Sequence, residues 1–211
     1  GSSNSSFLRE YCAQFTDGSD SYFSAKKMHD CTIPDGEKPN TLLKGDKDKQ
    51  YILAIDPSFS NSPSSDYFAM SILELDEESS NHSTLVHSYA VAGGDLKDHI
   101  KYLYYVVTHF NLSLIIIDNA GYQFIDSANE SELFTSGRIN IKFFDYNSDK
   151  SGLDYENMLL KAKQQYNKKE GVICFKQLFS TTFLREANEY LQASIDHKRI
   201  WFGSRTAACG S

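Results

Sequence analysis

Cysteine is scarce and scattered. The four thiols, Cys12, Cys31, Cys174 and Cys209, form no CxxC pair, which argues against a zinc site and against a disulfide framework. A reducing, intracellular setting is the expectation. Long apolar runs are missing too. The longest, around Leu112 to Ile117, is strand-sized, far short of the roughly 18 residues a membrane span needs. No secretory leader is visible either, so no membrane association is expected. There is no GxSxG elbow to support a Ser/His/Asp triad. No HxxxH or Asp-His pairing accompanies His82, His87, His99, His109 and His197, which leaves them as structural or surface residues. Positive charge is in short supply as well. At a net charge of −7 the chain lacks the basic face of a self-sufficient nucleic-acid binder. A polyanionic partner would need a local basic patch, metal ions or another subunit.

What is present is core-forming material. With 211 residues, 40% of them hydrophobic and 13% aromatic, one domain with a substantial interior is the default. Gly1-Ser2-Ser3 reads as a cloning remnant. Residues 1–40 then read as that remnant plus a helical entry and an interdomain linker: "FLREYCAQF" carries Phe7, Leu8, Tyr11, Cys12 and Phe15 at helical spacing, and "IPDGEKPN" is turn-rich. Residues 41–211 read as the main domain, with truncation at its C-terminus expected.

Within it, strand-like runs rich in Ile, Leu, Val, Phe and Tyr occupy 50–56, 66–75, 84–91, 113–118, 140–146 and 172–176. Three amphipathic stretches lie among them. Leu96, Ile100, Leu103, Val107 and Phe110 recur at helical steps behind Asp95, a natural N-cap after Gly93-Gly94. Tyr155, Leu159, Ala162 and Tyr166 form a second stripe, and Leu184, Ala187, Leu191 and Ile195 a third. Each stripe is expected to face the core. The first three strands have connections short enough for an antiparallel meander. The run "LSLIIID" follows a crossover helix and is apolar throughout, as in a strand buried on both faces. A right-handed crossover would lay it parallel to "YILAID", which has the same character.

Both of those strands end on an aspartate, Asp56 and Asp118. Side by side and parallel, they would bring two carboxylates together at the carboxyl edge of the sheet, where sites on open α/β sheets form. Two close acids repel and raise a pKa unless a cation intervenes. Oxygen-only ligands favour Mg²⁺ or Mn²⁺, and two such ions about 4 Å apart can activate water and stabilise a leaving oxygen. Asp66, at the start of the next strand, returns to the same edge as a further ligand or outer contact. The plain alternative is that each Asp is only a turn residue or helix cap.

At these residues the sequence resembles the ribonuclease H-like superfamily, and within it the nuclease domain of the large terminase subunit of tailed bacteriophages. "FLREYCAQFTDGSDSYFS" is similar to the segment that joins that family's ATPase domain to its nuclease. "AIDPSFSNSPSSDYFA" is similar to its first metal-binding strand, with Asp56 as primary ligand and Asp66 as accessory acid. "LIIIDNAGYQ" is similar to its second acidic strand, carrying Asp118. The resemblance runs from about residue 7 to residue 203 and implies an α/β fold. A central mixed sheet, three antiparallel strands plus parallel ones, would be flanked by helices.

The resemblance further implies a two-metal endonuclease, using Mg²⁺ or Mn²⁺, that cuts concatemeric double-stranded viral DNA during genome packaging. The implied partners are double-stranded DNA, the upstream ATPase domain of the same protein, the portal and the small terminase subunit. The implied location is the host cytoplasm, at the procapsid. There is no GxxxxGK(S/T) phosphate loop, so no motor is expected here and the chain reads as a nuclease domain cut from a longer protein.

One departure matters. The family pattern needs a third acid from a C-terminal segment, yet nothing after Trp201 is acidic. Asp145 and Asp149 are the candidate substitutes, with Asp196 weaker. Basic residues are few but grouped: Lys161, Lys163, Lys168 and Lys169 follow one helix, and Lys198, Arg199 and Arg205 lie near the C-terminus. Individually they read as solvated helix ends. Together they are the candidate phosphate-facing surface, whose contacts would be salt-dependent. Two other functions fit the same features: a ribonuclease H-like junction resolvase, and a non-catalytic docking module of the packaging motor.

Overall fold

Three of the apolar runs pair in sequence order, and a fourth returns to the first. The computed structural model describes residues 23–34, 41–59, 66–76, 82–137, 139–144 and 171–203. After a short helix α1 (Ala25–Asp30), strands β1 (Tyr51–Asp56), β2 (Tyr67–Leu75) and β3 (Ser83–Ala92) form an antiparallel meander. Helix α2 (Leu96–His109) crosses over to β4 (Leu112–Asp118). A single 3-10 turn, Asn119–Gly121, leads into α3 (Tyr122–Glu130) and α4 (Glu132–Gly137). Then come β5 (Ile141–Phe144), β6 (Val172–Gln177), α5 (Thr181–Asp196) and β7 (Ile200–Phe202). The seven strands form one sheet in the order β5-β6-β4-β1-β2-β3-β7. Only β2 runs antiparallel to its neighbours; β4, β6, β5 and β7 each pair in parallel. This is the mixed sheet expected from the pattern of runs.

The strand alternation decides where the core sits. Tyr51, Leu53 and Ile55 of β1, Phe68, Met70 and Ile72 of β2, and Ile115 and Ile117 of β4 point to one face. Ile100, Leu103 and Val106 of α2 and Phe124, Ile125 and Ala128 of α3 cover them. Each large side chain so buried contributes about 1.5–3 kcal/mol relative to exposure. Asp95 caps α2, its carboxylate accepting the Lys97 N–H at 3.0 Å.

Two buried histidines tie α2 to the sheet. Nδ1 of His87 donates to the Leu42 carbonyl (2.7 Å) while Nε2 accepts from the Tyr102 hydroxyl. His99 meets the Tyr89 hydroxyl through Nδ1 at 2.9 Å and stacks on Phe68. Burial pulls the His99 pKa down and pushes that of Tyr102 up to about 12, so both are neutral packing groups at physiological pH.

Several features differ from expectation. A helix, α1, lies where the pattern read as loop. The segment after Asp118 turns only once before two helices, because Phe124, Ile125 and Phe134 supply buried side chains that the polar "DNAGYQ" conceals. β7 is an additional strand of three residues, too short to show a period. The α5 stripe is core-facing only at its end: Leu184 and Ala187 are exposed, whereas Ile195 is buried. That last turn is where α5 meets α1, through Lys27–Asp196 at 2.7 Å and the Cys31 thiol donating to the Ile195 carbonyl. The expected helices at 7–15 and 154–166 lie outside the described residues. No helix among the described residues is long and apolar enough to cross a membrane.

Candidate metal centre

Strands β1 and β4 lie side by side and parallel, with Ile55 opposite Ile117. Asp56 and Asp118 are the next residues on each strand, so both leave the same carboxyl edge at the same level. Alternation puts them on the sheet face opposite the buried Ile55 and Ile117. Asp56 also pairs across the hairpin with Ala69, whose methyl leaves room in front of the carboxylate. Pro57, lacking an N–H, cannot continue the ladder. Gly121, just past Asp118, lets the second loop close on the first: a Cβ there would sit 2.2 Å from Cγ of Pro57 and 3.1 Å from the Ile117 side chain.

The electrostatics report the same adjacency. The Asp56 carboxyl is raised above the ordinary carboxylate range, first by loss of hydration, then by the negative charge of Asp118, then by that of Asp66. Asp66 stands immediately before β2, at this edge, as the hairpin requires. A cation placed among these oxygens would reverse the repulsion. Their donor chemistry, all carboxylate oxygen, suits Mg²⁺ or Mn²⁺. Among the described residues, however, no three His, Cys, Asp or Glu converge closely enough to hold a metal ion. Asp56 and Asp118 are thus a pair, with Asp66 close enough to be felt as charge.

Gln177 was not anticipated. It is buried, ends β6 and stands opposite Asp118 in the ladder, on the same face. The signal was available: β6, like β1 and β4, is an apolar run that stops on a polar side chain. Its neighbour Lys176 pairs with Ile117 and so lies on the opposite face, with Nζ 5.5 Å from the ring centre of Tyr122 and 4.8 Å from that of Phe143.

The basic surface divides. Lys198 and Arg199 precede β7, whose start pairs with the start of β3 through the Ser83 N–H and the Arg199 carbonyl (2.9 Å). That is the amino edge of the sheet, opposite the acid pair, so the structure does not bring these two residues to Asp56 and Asp118. Asp145, Asp149, Lys161, Lys163, Lys168, Lys169 and Arg205 lie outside the described residues. The amino edge also carries a cleft of about 390 Å³, lined by Lys44, Asp46, Lys49, Tyr51 and Glu74 among others. Its polar groups bond one another, with Lys49–Glu74 at 2.5 Å and the Tyr51 hydroxyl donating to Glu74 at 3.2 Å.

No model of a known protein family and no curated protein matches the sequence. Solved structures do match in fold. The large terminase of bacteriophage HK97 superposes with a TM-score of 0.51 at 11% identity, covering 86% of this chain and 33% of that one. The fold is shared with part of that large terminase. The magnesium-bound large terminase nuclease of thermophilic phage G20c gives a TM-score of 0.49 at 13% identity, over 88% of this chain and 75% of that one. The P22 large terminase nuclease domain gives 0.45 at 12% identity, over 90% and 75%. At such identities the likeness is one of architecture. This chain spans about a third of the HK97 protein.

The raised Asp56 pKa carries a stability prediction with a definite sign. A carboxyl whose folded pKa exceeds its unfolded value favours the folded state while protonated, and that contribution disappears as pH rises through the folded value. At neutral pH the ionised Asp56 therefore works against folding in the metal-free chain. Asp56→Asn is expected to raise Tm at pH 7, by about 2–4 °C for each kcal/mol of repulsion relieved. The gain should vanish in acid, where Asp56 is protonated. Calorimetry of both proteins across that pH range checks it, and a Tm that falls at pH 7 contradicts it.

Proposed function

We propose that the chain is a metal-dependent endonuclease that cleaves double-stranded concatemeric viral DNA during genome packaging. The observation that carries this reading is the Asp56–Asp118 pair at the carboxyl edge, with Asp56 raised by its acidic neighbours. Asp56 and Asp118 would be the primary ligands of Mg²⁺ or Mn²⁺. Asp66 would serve as accessory acid, and Asp145 or Asp149 would supply the third ligand. Two bound ions supply an activated water and charge stabilisation at the leaving oxygen of a phosphodiester.

The chain's own work is positional. Parallel pairing holds both carboxylates at one level, Gly121 and Pro57 lock their loops together, and Ala69 leaves the front of the site open. Lysines 161, 163, 168 and 169 and Arg205 are proposed DNA contacts. On this reading the partners are an ATPase domain of the same protein, the portal and the small terminase subunit, at the procapsid in the host cytoplasm.

A second reading, a non-catalytic docking module of the motor, is favoured by the lack of a three-acid group among the described residues. One assay separates the readings. The full chain is incubated with linear duplex DNA, four-way junctions and RNA–DNA hybrids, in Mg²⁺, Mn²⁺ or chelator. Metal-dependent cutting of the duplex is expected. Cutting confined to junctions or hybrids would make it a resolvase-type enzyme. No cutting, with no Mn²⁺ uptake at millimolar concentration, would leave the docking role.

A further inference from the structure

The carboxyl edge carries a third polar side chain in register with the acid pair. Asp118 pairs with Gln177 of β6 on one side, and the pairing of Ile117 with Ile55 sets Asp56 at the same level on the other. Neighbouring strands lie about 4.8 Å apart, so Gln177, Asp118 and Asp56 stand in a row on one sheet face. The row runs from the interior to solvent. Gln177 is 4% exposed, Asp118 is half-buried and Asp56 is exposed.

The pattern of β6 calls for an apolar residue at position 177. Ile173 and Phe175 precede it on the same face of the strand, and both are buried. An amide in that company costs free energy unless its polar atoms are bonded. One of its bonds is local: Nε2 donates to the Leu178 carbonyl at 3.0 Å. A carbonyl can only accept, so this contact fixes which end of the amide is nitrogen. The same nitrogen carries a second hydrogen. The neighbouring Asp118 carboxylate, when ionised, also can only accept, so the group that suits it is an N–H and not the amide oxygen. The amide is neutral as well. It meets Asp118 without setting a third negative charge beside the pair.

Such a contact bears on metal binding. Repulsion from Asp56 favours rotation of the Asp118 carboxylate out of a shared site. A donor on the β6 side that grips one oxygen opposes that rotation and leaves the other oxygen facing β1. Ligating carboxylates are commonly held by a hydrogen bond of this sort.

We therefore infer that Gln177 is a positioning residue: its second amide N–H donates to one Asp118 carboxylate oxygen and turns the other toward Asp56 to receive the cation. This rests on the nuclease reading above and adds to it a residue that acts through Asp118.

The test begins with the metal-free chain. In NMR of the amide-labelled protein, one Gln177 side-chain proton is expected downfield and slow to exchange, and Asp118→Ala should abolish that downfield shift. Mn²⁺ binding is then measured by calorimetry. Gln177→Met keeps the length of the side chain and removes the donor. It should weaken Mn²⁺ binding by about 10- to 100-fold and lower duplex cleavage at limiting Mn²⁺ by a similar factor. Cleavage should recover as Mn²⁺ is raised, because both carboxylates remain.

A role confined to the Leu178 carbonyl would show as a lower Tm with Mn²⁺ affinity unchanged, and it overturns the inference. So does a Gln177 proton resonance that ignores the loss of Asp118. If Gln177→Met binds Mn²⁺ and cuts as the parent does while Asp118→Asn does not cut, the nuclease reading survives that failure. A parent that takes up no Mn²⁺ and cuts no DNA removes both.

Discussion

Asp118→Asn is expected to lower metal-dependent cleavage of duplex DNA by more than the 10- to 100-fold that loss of an outer-shell partner of a metal site costs. The substitution keeps the shape of the side chain and the β4 ladder, so folding is preserved. It removes one of the two charges that face each other across β1 and β4. Asp56→Asn should have the same effect on cutting from the other strand. A second signature separates loss of a ligand from loss of structure. The charge of Asp118 helps hold the Asp56 carboxyl up, so in Asp118→Asn the Asp56 carboxyl should titrate lower than in the parent by NMR. A variant that cuts like the parent, with contaminating nuclease excluded, contradicts the assignment. So does an Asp56 titration that does not move.

Gly121→Ala should damage stability and activity together. The backbone at Gly121 is ordinary, with φ at −93°, so the requirement for glycine is one of space. A methyl would meet the Pro57 ring at 2.2 Å and Ile117 at 3.1 Å, and neither the ring nor the strand can give way freely. Overpacking of this kind costs about 1–3 kcal/mol, which for a chain of this size lowers Tm by about 2–12 °C. The activity loss should be disproportionate. Pro57 follows Asp56 and Ile117 precedes Asp118, so the methyl forces apart the two loops that align the carboxylates. A displacement of about 1 Å in such a site can cost roughly 10²-fold in rate. Pro57→Ala removes the ring carbon that clashes, so the double variant should recover much of the Tm. A Gly121→Ala protein that melts and cuts like the parent shows that the loops are not locked in this way.

The acid pair was legible because two physical signals coincide. An apolar run long enough for a strand buried on both faces, stopped by an aspartate, occurs at Asp56 and again at Asp118, and the intervening helix sets the parallel pairing. Asp95 was legible for the same local reason, as a capping side chain before an amphipathic stretch. The position of Lys198 and Arg199 was not. Their sequence neighbourhood says that they follow a helix, but β7 pairs in parallel with β3, and that tertiary choice carries them to the amino edge. β7 itself is decided by contact with the chain around Cys31, where the Phe202 N–H donates to the Cys31 carbonyl and the Ile33 N–H to that of Phe202. Gln177 was missed because an amide at a strand end carries no charge to draw notice, although its place in the pattern matches that of the two aspartates.

The most direct measurement is anomalous diffraction from crystals of the chain soaked in Mn²⁺. A manganese peak between the Asp56 and Asp118 carboxylates is expected, with oxygens at about 2.0–2.2 Å, as for small hard divalent ions. Manganese bound elsewhere with none at this edge, or two carboxylates pointing apart in the metal-soaked crystal, would contradict a shared metal site.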